Sequence, residues 1–134
     1  MITYNYSEEV SVKGKQLEVV IVDDEVQITE LLRTFIECAS TNSNIHTFND
    51  SGEARKYILH HAVDVLITDY KMPKYDGLQL MENAPHEVKK ILISGYVSEI
   101  AEEKLQKLNA VFFEKPVPMK AIGKIINEQE RKIA

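Results

Sequence analysis

Cysteine occurs once in this chain, at Cys38. A lone cysteine cannot close an internal disulfide, so packing alone must hold the fold, and a reducing compartment suits it. Cys38 itself is expected to pack as a small apolar residue. No apolar stretch approaches the ~20 residues of a membrane helix, so no membrane insertion is expected. No basic start followed by an apolar run opens the chain, and no secretory leader is expected. A cytoplasmic protein is the expectation. Positive charge is also in short supply: 16 Lys and Arg against 21 Asp and Glu leave a net charge of −5. Without a basic stripe to meet phosphates, no nucleic-acid binding is expected. Neither G-x-G-x-x-G nor G-x-x-x-x-G-K is found, so no nucleotide-cradling loop is expected either. His46, His60, His61 and His86 lack metal-ligand spacing and read as surface or edge residues. Repeats and low-complexity segments are missing too.

What remains is an ordinary globular mix, 44% hydrophobic and 28% charged, in a length that fits one domain. Such a chain buries about 65–70% of its unfolded surface, enough for one core. Short apolar runs alternate with helical periodicity. Residues 17–22 (LEVVIV) read as a buried parallel strand. A helix follows over 25–39, with Ile28, Leu31, Leu32, Phe35, Ile36 and Ala39 on one face. Residues 44–48 (NIHTF) make a weaker strand, suited to a sheet edge. A short helix over 51–59 is capped by Asp50 or Ser51. Residues 63–68 form the third strand, and 77–83 a short third helix entered through Asp76-Gly77. Pro85 limits that helix. Strand four spans 91–94. Helix four spans 98–108, capped by Ser98, with Ile100, Ala101, Lys104, Leu105 and Leu108 on one side. Strand five spans 111–113. Pro118 begins a last helix carrying Met119, Ile122, Ile125 and Ile126.

Five βα units in series predict an α/β, flavodoxin-like doubly wound fold with a five-stranded parallel sheet of order 2-1-3-4-5. The domain is expected over 17–134. Residues 1–16 lie outside it. Ile2, Tyr4 and Tyr6 alternate with polar residues before Ser7–Glu9, which suits an extra edge strand, a partner contact or a loose arm.

The strands end in polar residues: Asp23-Asp24, Asp69, Ser94 and Lys115. In this strand order they converge on the crevice beyond the C-terminal ends of strands 1 and 3. Clustered carboxylates need a counter-charge, and an all-oxygen ligand set points to Mg²⁺. Asp76 reads as a helix cap and Glu25 as a first-turn residue favoured by the helix dipole.

The strings VDDE at 22–25, DYKMPKYDG at 69–77, SG at 94–95 and EKP at 114–116 closely resemble the receiver domains of two-component response regulators, over about residues 17–127. The resemblance implies a stand-alone signalling phosphoacceptor, not an enzyme, that assists its own phosphotransfer and dephosphorylation. It makes Asp69 the phosphoacceptor, nucleophilic through its carboxylate. It makes Asp24 a direct Mg²⁺ ligand and Asp23 a ligand through metal-bound water, with Asp69 and the Lys71 backbone carbonyl completing the set; Mn²⁺ is a substitute. Lys115 pairs with the carboxylate or phosphoryl oxygen. Ser94 is the switch hydroxyl, Gly95 leaves room for the phosphoryl group, and Phe112 is the switch aromatic. The Lys115–Pro116 bond is implied to be cis. Lys71 and Tyr96 flank the pocket and are expected to slow hydrolysis of the phosphorylated state.

The implied partners are a histidine kinase or histidine phosphotransfer protein, and a downstream protein at the face made by helix 4, strand 5 and helix 5. With no output domain after Ala134, output is expected through such a contact. Two alternatives belong to other classes: a phosphate-independent pseudo-receiver and an aspartyl-nucleophile phosphatase. The phosphatase would want an acid two residues after Asp69, where Lys71 stands. The intact polar set argues against the pseudo-receiver.

Overall fold

The computed structural model describes residues 15–95 and 100–133. The alternating Ile2, Tyr4 and Tyr6 and the expected cap Ser98 lie outside the described residues. The elements run β1 Leu17–Val22, α1 Val26–Ala39, β2 Ser43–Phe48, α2 Ser51–His60, β3 Val65–Asp69, α3 Gly77–Asn83, β4 Lys89–Ser94, α4 Glu102–Lys107, β5 Ala110–Glu114 and α5 Met119–Ile133. The five strands pair in parallel, in the order β2-β1-β3-β4-β5. The doubly wound fold read from the sequence is the fold observed.

The sheet is sandwiched because its strands are apolar on both faces. Leu17, Val19, Ile21, Val65, Ile67, Ile91 and Ile93 pack with Leu32 and Ile36 of α1 and Ile122 and Ile126 of α5. Val20, Val22, Leu66 and Leu92 point the other way, onto Ala54 and Ile58 of α2, Leu80 and Met81 of α3 and Leu105 of α4. Each fully buried aliphatic side chain contributes about 1.5–3 kcal/mol. On the α1–α5 side, the Glu130 carboxylate accepts from Ser40 Oγ (2.6 Å), Thr41 N (3.1 Å) and Asn42 N (3.0 Å). That one side chain ties the end of α5 to the α1–β2 loop.

Several expectations shift. Leu31 is 53% exposed, whereas Thr29 is buried. Thr29 enters the core because its hydroxyl donates to Val26 O and accepts from Asn49 Nδ2. Cys38 is exposed rather than packed, since it lies off the narrow buried stripe of α1. Glu25 occupies the N-cap position of α1 with no capping bond. Strand β3 begins at Val65 rather than 63. The Asp64 carboxylate accepts from the Glu18 N–H instead (2.7 Å).

Helix α4 starts at Glu102. Ala101 has ψ 140°, and Glu102 and Glu103 fill the first turn, where negative charge suits the dipole. Ile100 and Ala101 therefore precede the helix, and Lys104 is half-exposed beside Glu82.

Strand β4 begins at Lys89, two residues early, and includes a lysine buried to 0% exposure. Lys90 Nζ donates to the carbonyls of Leu108 (2.7 Å), Pro85 (2.8 Å) and Val88 (2.9 Å). Burial lowers its ammonium below the usual lysine range.

Candidate acidic phosphoacceptor site

Parallel register brings the strand ends level. Val22 pairs with Thr68, Asp69 with Ile93, and Ser94 with Glu114. The chain crosses to opposite sides after β1 and β3, so the crevice opens above these two strands. Asp23 and Asp24 follow β1, and Asp69 ends β3. One carboxylate oxygen from each lies within 4.8 Å of the others. Asp23 and Asp69 are buried and Asp24 is exposed, so the cluster has one open side.

Lys115, after β5, reaches into this cluster. Its Nζ lies 3.4 Å from Asp69 Oδ1, 3.6 Å from Asp23 Oδ2 and 3.7 Å from Glu25 Oε1. Its backbone N–H donates to Ser94 O (2.8 Å), which couples β5 to β4 at the pocket. The Lys115–Pro116 peptide is cis, as the resemblance implied.

Burial pushes the Asp23 carboxyl up to about 6, and Asp69 and Asp24 add to the rise. The Glu25 N–H, donating to Asp23 Oδ1 (2.9 Å), and the Lys115 ammonium oppose it. Burial also raises the Asp69 carboxyl, against the pull of Lys115. Burial would lower the Lys115 ammonium, but Asp23, Asp69 and Glu25 together hold it above the usual range. One ammonium does not balance three carboxylates. The remaining deficit, all on oxygen ligands with one open side, suits a hard divalent cation such as Mg²⁺. The residues present therefore fit that ion.

The other expected residues sit around this centre. Ser94 is buried at the end of β4. Among the described residues, a side chain at Gly95 would meet only Lys115 Cδ, at 3.9 Å. Phe112 pairs with Leu92, and both belong to the α2–α3–α4 side of the core. Ser94, two residues after Leu92, shares that face. Lys71 is exposed, with its Nζ 4.9 Å above the Tyr70 ring. Tyr96 lies outside the described residues.

Asp76 caps α3 in a capping box with Gln79, as expected, and binds no part of the cluster. Gly77 is needed for contact. A Cβ there would lie 2.3 Å from Asp69 O and 2.7 Å from Leu92 Cδ1. Helix α3 therefore starts hard against the backbone of Asp69.

Sequence reasoning missed Asn49 and Ser51, which touch the loops carrying the acidic residues. Asn49 Nδ2 donates to Asp23 O (2.8 Å), and Ser51 Oγ to Pro73 O (2.5 Å). Their only sequence signal was helix-cap chemistry at the start of α2.

The family model of the response regulator receiver domain matches residues 19–127. Response regulator GtcR of Aneurinibacillus migulanus is 34% identical over 111 residues, covering 80% of this chain and 45% of that protein. The transcriptional regulatory protein HptR of Staphylococcus aureus is 36% identical over 81 residues, 59% of this chain and 32% of that one. The chain thus spans less than half the length of these curated relatives. A receiver domain from Clostridium thermocellum superposes with a TM-score of 0.70 at 26% identity, covering 87% of this chain and 96% of that one. A CheY-like receiver from Methanospirillum hungatei JF-1 gives 0.72 at 24% identity, over 88% and 99%. Among the described residues, no helix is long and apolar enough to cross a membrane.

Proposed function

The chain belongs to the response regulator receiver family, and on that premise we propose that Asp69 accepts a phosphoryl group from the phosphohistidine of a sensor kinase or phosphotransfer protein. One observation carries this reading: a buried carboxylate ends β3 at the sheet's switch point, beside two further carboxylates and 3.4 Å from an ammonium.

In the proposed step an Asp69 carboxylate oxygen forms a bond to phosphorus as the phosphorus–nitrogen bond breaks. The imidazole leaves with the electron pair and later takes a proton. Positioning and charge neutralisation supply most of the acceleration. Lys115 Nζ is placed to meet a phosphoryl oxygen. Asp23, Asp24, Asp69 and the Lys71 carbonyl would hold Mg²⁺, or Mn²⁺ in its place. A bound divalent cation would neutralise charge on the acidic oxygens and on the transferring group. Phosphorylation replaces the single charge of Asp69 with about −2.

The response proposed is a shift of a two-state equilibrium. Ser94 and Phe112 share one face of adjacent strands, which supports a hydroxyl that moves toward the phosphoryl group while the ring follows. Glu102, Glu103, Lys107, Glu114, Lys120 and Lys124 are exposed on α4, β5 and α5. A downstream protein is proposed to read that face. Lys71, together with Tyr96, is proposed to slow attack by water. Loss of phosphate from Lys71→Ala/Tyr96→Ala no faster than from wild type would end that part of the reading.

Incubation with a small phosphodonor and Mg²⁺ tests the main step. The wild type should gain an adduct more stable in acid than in base, and Asp69→Asn should gain none. An adduct surviving in Asp69→Asn would mean another acceptor. No adduct on the wild type with any donor would leave the pseudo-receiver reading in its place.

A further inference from the structure

Three consecutive residues at the junction of β2 and α2, the last of them the first residue of α2, grip both loops of the acidic pocket. Asn49 Nδ2 donates to Asp23 O (2.8 Å) and to Thr29 Oγ1 (3.0 Å). Thr29 Oγ1 donates in turn to Val26 O (3.0 Å). Asn49 thereby fixes the backbone that presents Asp23 and Asp24 to the first turn of α1. Ser51 is buried, donates to Pro73 O (2.5 Å) and accepts from the Tyr75 N–H (3.0 Å). Between them, Asp50 holds Lys74 Nζ at 2.9 Å. Lys74 has φ 70°, a left-handed step that the loop must be held in. The loop from Asp69 to Gly77 is closed at its base by Gly77 N–H donating to Tyr70 O (2.8 Å). Lys71 sits inside that closed loop.

A cleft of about 180 Å³ separates the two loops, lined by Asp24, Asn49, Asp50, Ser51, Met72 and neighbours. The loops therefore do not pack directly on each other there. Their spacing is carried by the polar contacts of Asn49 and Ser51, with the exposed Asp50–Lys74 pair beside them. Without a cation the three carboxylates repel one another, and repulsion drives the loops apart unless something restrains them.

We propose that Asn49 and Ser51 are positioning residues for the divalent-cation site, fixing the distance between the Asp23-Asp24 backbone and the Lys71 loop so that the ion binds without rearranging either. This rests on the cation reading given under Proposed function. Groups that orient metal ligands typically cost about 10–100-fold in affinity when removed.

The experiment is calorimetric titration of the full chain with Mg²⁺, paired with urea unfolding in EDTA, for wild type, Asn49→Ala, Ser51→Ala, Ser51→Thr and Glu130→Ala. Asn49→Ala and Ser51→Ala should each bind Mg²⁺ about tenfold more weakly. Ser51→Thr keeps the hydroxyl and should bind like wild type. Glu130→Ala breaks the α5 clasp far from the pocket, so it should lose stability and keep its Mg²⁺ affinity. Mg²⁺ affinity within about twofold of wild type in both alanine variants, with stability falling as in Glu130→Ala, overturns the proposal alone. A wild-type chain that takes up no Mg²⁺ overturns the cation reading itself, and this proposal with it.

Discussion

Asp23→Asn is expected to stabilise the cation-free chain, and the gain should grow with pH. Folding carries the Asp23 carboxyl from the ordinary 3.8 up to about 6, chiefly by burial. The folded state therefore holds this proton more firmly than the unfolded state. The associated stability is fully present below about pH 4 and is lost as pH rises through about 6. That gap of about two pH units corresponds to about 3 kcal/mol. The side chain is only 4% exposed, so little of this is screened by solvent. Asp69 is raised in the same direction and adds to the loss. Asparagine keeps an oxygen for the Glu25 N–H and removes the charge. Urea unfolding in EDTA at about pH 4.5 and about pH 8 measures the effect. Wild type should lose about 2 kcal/mol more than Asp23→Asn between the two, because at about pH 4.5 part of the full effect is already gone. Mg²⁺ at the higher pH should restore much of the wild type and little of the variant. Two curves that stay within about 0.5 kcal/mol of each other at both pH values would refute the argument.

Gly77→Ala should cost about 3 kcal/mol, because its Cβ cannot share space with Asp69 O, and urea unfolding would expose a smaller cost as an error. Lys115→Met should leave Mg²⁺ binding no weaker, since it removes a competing cation. Its rate of phosphoryl acceptance should fall about a hundredfold, and a near-normal rate would show that Lys115 is not the charge partner of the step. Lys90→Met should lower stability at neutral pH by about 1–3 kcal/mol by removing the donor that the Leu108, Pro85 and Val88 carbonyls share, and an equally stable variant would count against that bonding.

The strand ends were legible because burial on both faces writes itself as continuous apolar runs, and polar residues that interrupt those runs mark the crevice. Asp23, Asp69 and Ser94 follow directly from that. The limits are equally physical. Lys89 and Lys90 looked like loop because an ammonium is expected in water, yet for Lys90 the carbonyls of Pro85, Val88 and Leu108 replace that water. Leu31 looked buried because a wide stripe was drawn on α1. Thr29 narrowed it by finding partners for its hydroxyl inside the core. Ile100 and Ala101 fit a helical face by spacing, but the backbone at Ala101 is extended. Asn49 and Ser51 act through backbone atoms 22 to 26 residues distant, and such contacts leave no periodicity to read.

Lys90 also makes the chain its own reporter. Its amine is held out of solvent by the carbonyls of Pro85, Val88 and Leu108, in the segments that lead into β4 and β5, while amine-acylating reagents reach only what solvent reaches. Acylation of Lys90 can proceed only after the segments leading into β4 and β5 open, so its rate times that opening. An acylated Lys90 has lost both its charge and two of its three donor hydrogens. The chain that carries it cannot rebuild the same carbonyl cage, which turns a reversible opening into a recorded one.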